Sequence, residues 1–183
     1  MVVSMLRRIV LISGPPASGK TTLARPLAEA LECALLSKDD LKESLFTSMN
    51  GLPGDLDFSH RLSIAAMDLL WALAPHCPSA MLEANFRTQS PHEREKVAML
   101  LNHFCGNMVE IHCRIPIEEA ARRFAERART ERHHPAHALQ EMSIEQLAEY
   151  AKPFAMSPVV EVDTARPVDV AALARQVVTN LRS

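Results

Sequence analysis

The sequence predicts an α/β domain of three layers: a five-stranded parallel sheet with helices on both faces and a short helical lid. Two observations lead there. Short apolar runs alternate with segments of helical spacing along the whole chain, the pattern of strand–helix–strand units whose strands lie parallel between helical layers. The first apolar run also ends directly in a glycine-punctuated turn, "GPPASGKTT" (14–22), that opens a helical segment.

Each element has its own signal. "RIVLIS" (8–13) is β-branched and apolar, as a buried strand should be. In "KTTLARPLAEAL" (20–31), Leu23, Leu27, Ala30 and Leu31 recur at helical spacing, and Pro26 predicts a kink or a short start. "CALLS" (33–37) is the second strand and "DDLKESLF" (39–46) a helix. "GLPGDLD" (51–57) carries two of the five glycines and reads as a mobile loop. "FSHRLSIAAMDLLWALA" (58–74) is a long helix whose apolar face comprises Leu62, Ala66, Leu69, Leu70 and Leu73. "SAMLEA" (79–84) and "MVEIHCR" (108–114) are the third and fourth strands, separated by a helix over 90–104. "PIEEAARRFAERART" (116–130) is helical with a basic side, and Ser143 caps the following segment 144–154. "PVVEVDT" (158–164) is the fifth strand, and 167–181 closes the chain as a helix with proline at its first position. No repeat or low-complexity linker interrupts the pattern, so residues 1–183 are expected to form one domain, with the lid over approximately 116–142.

Composition narrows the function classes. A chain of 183 residues with 48% hydrophobic and 23% charged residues is globular and long enough for one proper core. Its formal net charge of -2 gives no global field to recruit polyanions, so anion binding must be local. Cys33, Cys77, Cys105 and Cys113 show neither CxxC nor dense spacing, which points to free thiols in a reducing compartment. The apolar run near the start is too short for a signal peptide, and no stretch approaches the ~18 apolar residues of a membrane span. A soluble, cytoplasmic protein with no membrane partner is expected.

The glycine turn carries the chemistry. Gly14, Gly19, Lys20 and Thr21 fit G-x-x-x-x-G-K-[ST] between a predicted strand and a predicted helix, the context that this phosphate-binding loop (P-loop) requires. Its backbone N–H groups can curl round a phosphate, aided by the positive end of the helix. Residues Gly14, Pro15, Pro16, Ala17, Ser18, Gly19, Lys20, Thr21 and Thr22 are therefore the expected nucleotide cradle. Lys20 is placed against the β- and γ-phosphates, and the Thr21 hydroxyl can ligate Mg²⁺. ATP and Mg²⁺ are the expected cofactors, and the fold is a P-loop NTPase.

"GPPASGKTT", "LLSKDDLKESLF", "MLEANF" and "RRFAERAR", in that order, resemble the small P-loop kinases related to phage polynucleotide kinase, a group that includes chloramphenicol phosphotransferase, gluconate kinase and the zeta toxins. The resemblance spans about residues 8–164, and no NKxD base-reading motif of GTPases is present. It implies that Asp39 takes the proton of the acceptor hydroxyl. A carboxylate at a strand's C-terminal edge can face the γ-phosphate across the crevice and orient an alcohol there, although Asp39 or Asp40 would equally cap the helix that follows. The resemblance places Lys42 where relatives grip a substrate phosphate; as a helical lysine it also suits a solvated surface. Asn85 matches a polar family position, and Arg87 lies on the same loop, facing substrate or water. "DTARP" (163–167) is where relatives wrap the adenine.

Glu83, polar at the end of an apolar strand, would serve Mg²⁺ directly or through its water shell; relatives often carry aspartate there. Among Arg122, Arg123, Arg127 and Arg129, Arg123 and Arg127 stand four apart and share a face. In this fold such a pair belongs to a lid that closes over ATP and neutralises the transferring phosphoryl group. A salt-bridged face with Glu118, Glu119, Glu126 and Glu131 is the competing reading. "HHPAH" (133–137) lacks zinc-site spacing and reads as a lid tip, while His103, Cys105, His112 and Cys113 straddle a helix end and a strand on which alternate residues point apart.

Together these features predict a phosphotransferase with catalytic residues Lys20, Asp39, Arg123 and Arg127, substrate contacts at Asp39, Lys42, Asn85 and Arg87, and metal contacts at Thr21 and Glu83. Its partner is a small-molecule hydroxyl. A polynucleotide 5′-hydroxyl is disfavoured, because with 6 Phe, 1 Trp and 1 Tyr the chain offers few stacking residues and no basic stripe. A non-catalytic ATP-binding regulator and a toxin-like sugar-nucleotide kinase are the other readings, and oligomeric state is open.

Overall fold

A computed structural model of the protein describes residues 7–130, 134–139 and 141–181. Five strands, β1 (Arg8–Ser13), β2 (Ala34–Ser37), β3 (Ser79–Glu83), β4 (Met108–Arg114) and β5 (Val159–Asp163), form one sheet in the order β2-β3-β1-β4-β5. Every pairing is parallel. The helices are α1 (Lys20–Ala30), α2 (Lys38–Ser48), α3 (Leu56–Leu73), α4 (Pro91–His103), α5 (Ile117–Ala128), α6 (Ile144–Ala148) and α7 (Val170–Leu181).

The alternation of β1 explains the three layers. Val10 and Ile12 join Leu23, Ala24 and Leu27 of α1 and Leu173 and Val177 of α7 on one face. Ile9 and Leu11 join Leu70 and Trp71 of α3 and Val97 and Leu100 of α4 on the other. Successive side chains of a strand point to opposite faces, so a strand that is apolar throughout needs a helical layer on each side. A small separate cluster of Ile115, Ala120 and Leu147 joins α5 to α6 above the sheet ends.

Several local expectations change. The predicted loop 51–57 is shorter, because Asp55 caps α3 by accepting the Phe58 N–H and starts the helix at Leu56. Leu62, Ala66 and Leu70 are buried as expected, but Leu69 and Leu73 lie on the exposed side, and Trp71 is buried in their stead. Pro26 sits on the exposed side of α1 and the helix continues past it to Ala30. The helix after Ser143 ends at Ala148. The last helix begins at Val170 rather than at Pro167, because Asp169 accepts the Ala172 N–H and so fixes its first turn.

β1 is the switch point of the sheet: the chain leaves it to one side for β2 and β3 and returns on its other side as β4. In open parallel sheets the crevice at such a point, beyond the carboxyl ends of the strands, is where ligands bind.

Candidate active site

The turn between β1 and α1 has the backbone that the sequence requires. Gly14 has φ +133°, and a Cβ there would meet the Cys113 carbonyl oxygen at 2.5 Å. Only glycine lets this loop lie against β4. Ala17 and Gly19 also have positive φ, 61° and 83°. Gly19 is the N-cap of α1 and offers no side chain to its free N–H groups, which leaves them for an external acceptor. Lys20 is buried, and its ammonium donates to the carbonyls of Gly14 at 3.0 Å and Pro15 at 2.7 Å. Burial lowers its pKa, against the attraction of Glu83. The Ser18 hydroxyl is buried in the same loop without a hydrogen-bond partner among the described residues.

Glu83 ends β3 beside this turn, in register with Ile12 and Ser37. It is 3% exposed. The Ser37 hydroxyl donates to one carboxylate oxygen at 2.8 Å and the Thr21 hydroxyl to the other at 3.3 Å. Burial raises its pKa, partly offset by Lys20. The donor set suits a polyphosphate and a hard divalent cation: N–H groups and an ammonium for the first, an adjacent hydroxyl and carboxylate for the second.

Asp39 stands in the first turn of α2, paired with Lys38 at 3.2 Å. Burial pushes its pKa up, but Lys38, His137 and Lys20 together outweigh this and hold it at about 2. Asp40 points elsewhere: both of its oxygens accept from Arg25, at 3.0 and 3.1 Å, on the exposed side of α1. The helix is capped by neither aspartate but by Ser37, whose hydroxyl accepts the Asp40 N–H.

Two cavities meet here. The smaller, about 270 Å³, is lined by the loop residues Ala17, Gly19, Lys20, Thr21 and Thr22 together with Asp39, Glu83, Asn85, Arg123 and Arg127. The larger, about 500 Å³, lies between α2, α3, α5 and residues 137–139 and 142. Asp39, Asn85 and Arg127 line both. A further cleft of about 430 Å³, beside Pro15, runs along Arg114, Pro116 and Asp163. Of the expected cradle, Pro15 thus lines this cleft and Pro16 the larger cavity.

The arginines divide. Arg122 is bound to Glu119 and Glu126 as an exposed salt-bridged face. Arg123 lines the smaller cavity while tethered to Glu119 at 2.7 Å. Arg127 lies over the Phe124 ring, and no ion pair holds it among the described residues. Arg129 is 3.9 Å from Glu141, and Glu131 lies outside the described residues. Arg87 is exposed at the rim of the larger cavity, 3.9 Å from Glu149.

Two readings are corrected. Lys42 is not a solvated surface lysine: it is buried, donates to the Ser59 hydroxyl at 2.8 Å, and Ser59 in turn donates to the Ala136 carbonyl at 2.7 Å. Burial, with repulsion from Lys38, lowers its pKa to about 8. The "HHPAH" tract, of which His133 lies outside the described residues, is no lid tip. Ala136 is buried with Phe46 and Leu62, and His137 contacts Glu43 at 2.9 Å while lining the larger cavity near Asp39.

Sequence reasoning missed His137, Ser37 and Ser59. It also missed Glu110, fully buried on β4, which accepts from Ser13 at 2.6 Å and from the N–H groups of Phe154 and Ala155, each at 3.0 Å. A carboxylate in an apolar strand was the available signal, as it was for Glu83. His112 shares the Ser13 hydroxyl at 2.9 Å and meets the Ala151 carbonyl at 3.0 Å, whereas Cys113 belongs to the core on the other face. Burial raises the Cys113 thiol to about 12.

Fold and site together define a P-loop α/β protein of the small-kinase architecture. Residues 9–153 match the family described as AAA domain, and the chain belongs to it. Among solved structures it resembles a candidate kinase from Chloroflexus aurantiacus J-10-fl, at 24% identity and a TM-score of 0.80, covering 96% of this chain and 98% of that one. It also resembles the Mycobacterium tuberculosis APS kinase in complex with AMPPNP and APS (16% identity, TM-score 0.58, 96% and 98% covered). A gluconokinase from Sinorhizobium meliloti 1021 is similar too (18% identity, TM-score 0.57, 97% and 93% covered). These likenesses establish the fold. No curated protein matches the sequence.

Proposed function

We propose that this protein is an ATP- and Mg²⁺-dependent phosphotransferase that moves the γ-phosphate to a hydroxyl of a small molecule. The observation that carries this reading is the shared wall of Asp39, Asn85 and Arg127 between the phosphate-sized cavity at the P-loop and the larger cavity beyond it. A transferase needs such a junction, where donor and acceptor meet in line. The similarity to a gluconokinase and to an APS kinase, proteins named for small acceptors, supports it.

In this reading, Gly14–Thr22 and Lys20 bind the phosphates, and Lys20 exchanges the Gly14 and Pro15 carbonyls for phosphate oxygens. Thr21 and Glu83 hold Mg²⁺, which supplies charge neutralisation at the phosphates. Arg127, with Arg123, faces the charge that develops on the transferring group. The cleft at Pro15, Arg114 and Asp163 takes the nucleoside. Asp39 accepts a hydrogen bond from the acceptor hydroxyl and aims its oxygen, and Asn85 and Arg87 line the acceptor's approach. With a pKa of about 2, Asp39 is a feeble base. Its work is chiefly orientation: as the oxygen–phosphorus bond forms and the bond to the bridging oxygen breaks, the hydroxyl proton becomes acidic and passes late to the Asp39 carboxylate, while the bridging oxygen leaves with ADP. Lys42 serves as a clasp from α2 through Ser59 to residue 136, with its ammonium at the acceptor cavity.

The test is ADP release with Mg²⁺ across a panel of alcohols, using wild type, Asp39→Asn and Lys20→Ala. One acceptor should stimulate turnover, Asp39→Asn should abolish that stimulation, and Lys20→Ala should lose ATP turnover altogether. Nucleotide binding without stimulation by any acceptor would instead fit a regulatory ATP-binding protein.

A further inference from the structure

Resting on the phosphotransferase reading, we infer that Ser37 is a positioning residue that ties the metal carboxylate, Glu83, to the helix that carries Asp39, so that a cation held at the first is felt as order at the second. Ser37 is the last residue of β2 and also the N-cap of α2, with no loop between strand and helix. It stands in register with Glu83 on β3. Residues paired in this way point to the same face of a sheet, so the sheet itself brings hydroxyl and carboxylate together. Both residues are buried, at 2% and 3% exposure.

A serine hydroxyl has one proton to give and lone pairs with which to accept. The Ser37 proton goes to Glu83 Oε2 at 2.8 Å, and its oxygen accepts the Asp40 N–H at 3.5 Å. The second contact is long for an N–H···O bond, so the start of α2 has room to tighten. The two reinforce each other, because a hydroxyl that donates to a carboxylate becomes a better acceptor. Giving Oε2 to Ser37 also leaves Oε1 on the side of Thr21, whose hydroxyl donates to it at 3.3 Å. Glu83 therefore cannot turn toward a cation, or away from one, without pulling on the cap of α2. Asp39 stands two residues beyond that cap and lines both cavities, whereas Ser37 lines neither. Ser37 acts only through its neighbours, and removing an outer partner of this kind changes metal affinity by roughly 10–100-fold.

The test is amide exchange in wild type, Ser37→Thr, Ser37→Ala and Ser37→Gly, with AMPPNP at saturation and Mg²⁺ titrated from none. Threonine keeps the hydroxyl and alanine removes it. Glycine removes it too, yet starts a helix at little cost, so it separates the link to Glu83 from the mere beginning of α2. In wild type and Ser37→Thr, Mg²⁺ should slow the amides of 38–41 severalfold as well as those of the loop 14–22. In Ser37→Ala and Ser37→Gly it should slow the loop alone, and the Mg²⁺ concentration for half of that effect should rise roughly tenfold. A serine that merely starts the helix gives a different pattern: faster exchange of 38–41 in Ser37→Ala at every Mg²⁺ concentration, Ser37→Gly behaving as wild type, and an unmoved Mg²⁺ midpoint. That pattern would overturn the inference, as would a wild-type α2 that ignores Mg²⁺ while the loop responds; both leave the nucleotide reading standing. A loop that AMPPNP and Mg²⁺ together fail to protect would sink the nucleotide reading and the inference with it.

Discussion

Asp39 shows how a neighbourhood assigns a residue its task. Lys38, His137 and Lys20 hold it ionised against the pull of burial, at a pKa of about 2 instead of 3.8. A depressed carboxylate contributes stability that is fully present above its unfolded pKa and is lost as pH falls through its folded one. In denaturant titrations, the advantage of wild type over Asp39→Asn should therefore be about 2 kcal/mol and constant from pH 7 to about pH 4, and should vanish toward pH 2. An acid limb in turnover above pH 4 then belongs to a different group. The resemblance singled out Asp39 in "SKDD", but no local pattern shows why Asp40 is turned away: that depends on Arg25, which stands fifteen positions away on α1 and claims Asp40. The burial of Lys42 was hidden for the same reason. Its partner Ser59 comes from α3 and the next carbonyl from residue 136, and no local pattern announces a buried lysine.

At the scale of elements, β4 supports the P-loop from beneath. Glu110 binds the Ser13 hydroxyl, immediately before Gly14, and the N–H groups of Phe154 and Ala155, and so ties β1 to the segment that returns from α6 to β5. In Glu110→Gln the side-chain amide can accept only through its oxygen, leaving a donor facing a donor. A loss of roughly 2–3 kcal/mol should follow, read as a lower thermal midpoint together with faster amide exchange at 154 and 155. Unchanged exchange at these two amides would show that the carboxylate does not hold the segment. On α5 the spacing of Arg123 and Arg127 was legible, and so was the competing salt-bridged face. On this helix Glu119 and Glu126 occupy Arg122, while Arg127 is left over Phe124 and lines the smaller cavity with Arg123. Arg127→Ala should lower kcat by about 10²-fold, and more than Arg123→Ala does, since Arg123 is already shared with Glu119. Equal losses in steady-state kinetics would contradict this division.

At the scale of the molecule, the sheet is buried on both faces and carries the P-loop rigidly, whereas α5 and α6 rest on a small cluster of their own. Nucleotide binding should therefore show itself in two places. With Mg²⁺ and AMPPNP at 100-fold over Kd, the whole chain should gain about 2.7 kcal/mol. Amide exchange should slow chiefly in the loop 14–22 and across α5 and α6, the helices of the expected lid. Protection confined to the loop would mean that the lid does not close over nucleotide.

The sequence by itself determined the layers, the parallel sheet and the P-loop. All three rest on local regularities: apolar runs between helical periods, and glycines at positions that only glycine can occupy, as Gly14 does against Cys113. It also marked Glu83, because a carboxylate at the end of an apolar strand has few uses. Only the tertiary structure decided that Asp40 is turned away by Arg25, that Lys42 is buried, that His137 sits beside Asp39, and that a larger cavity adjoins the one at the P-loop. These features depend on α2, α3, α5 and residues 134–139 converging from separate parts of the chain. Burial and electrostatic neighbourhood are properties of that convergence, and no window of sequence contains them.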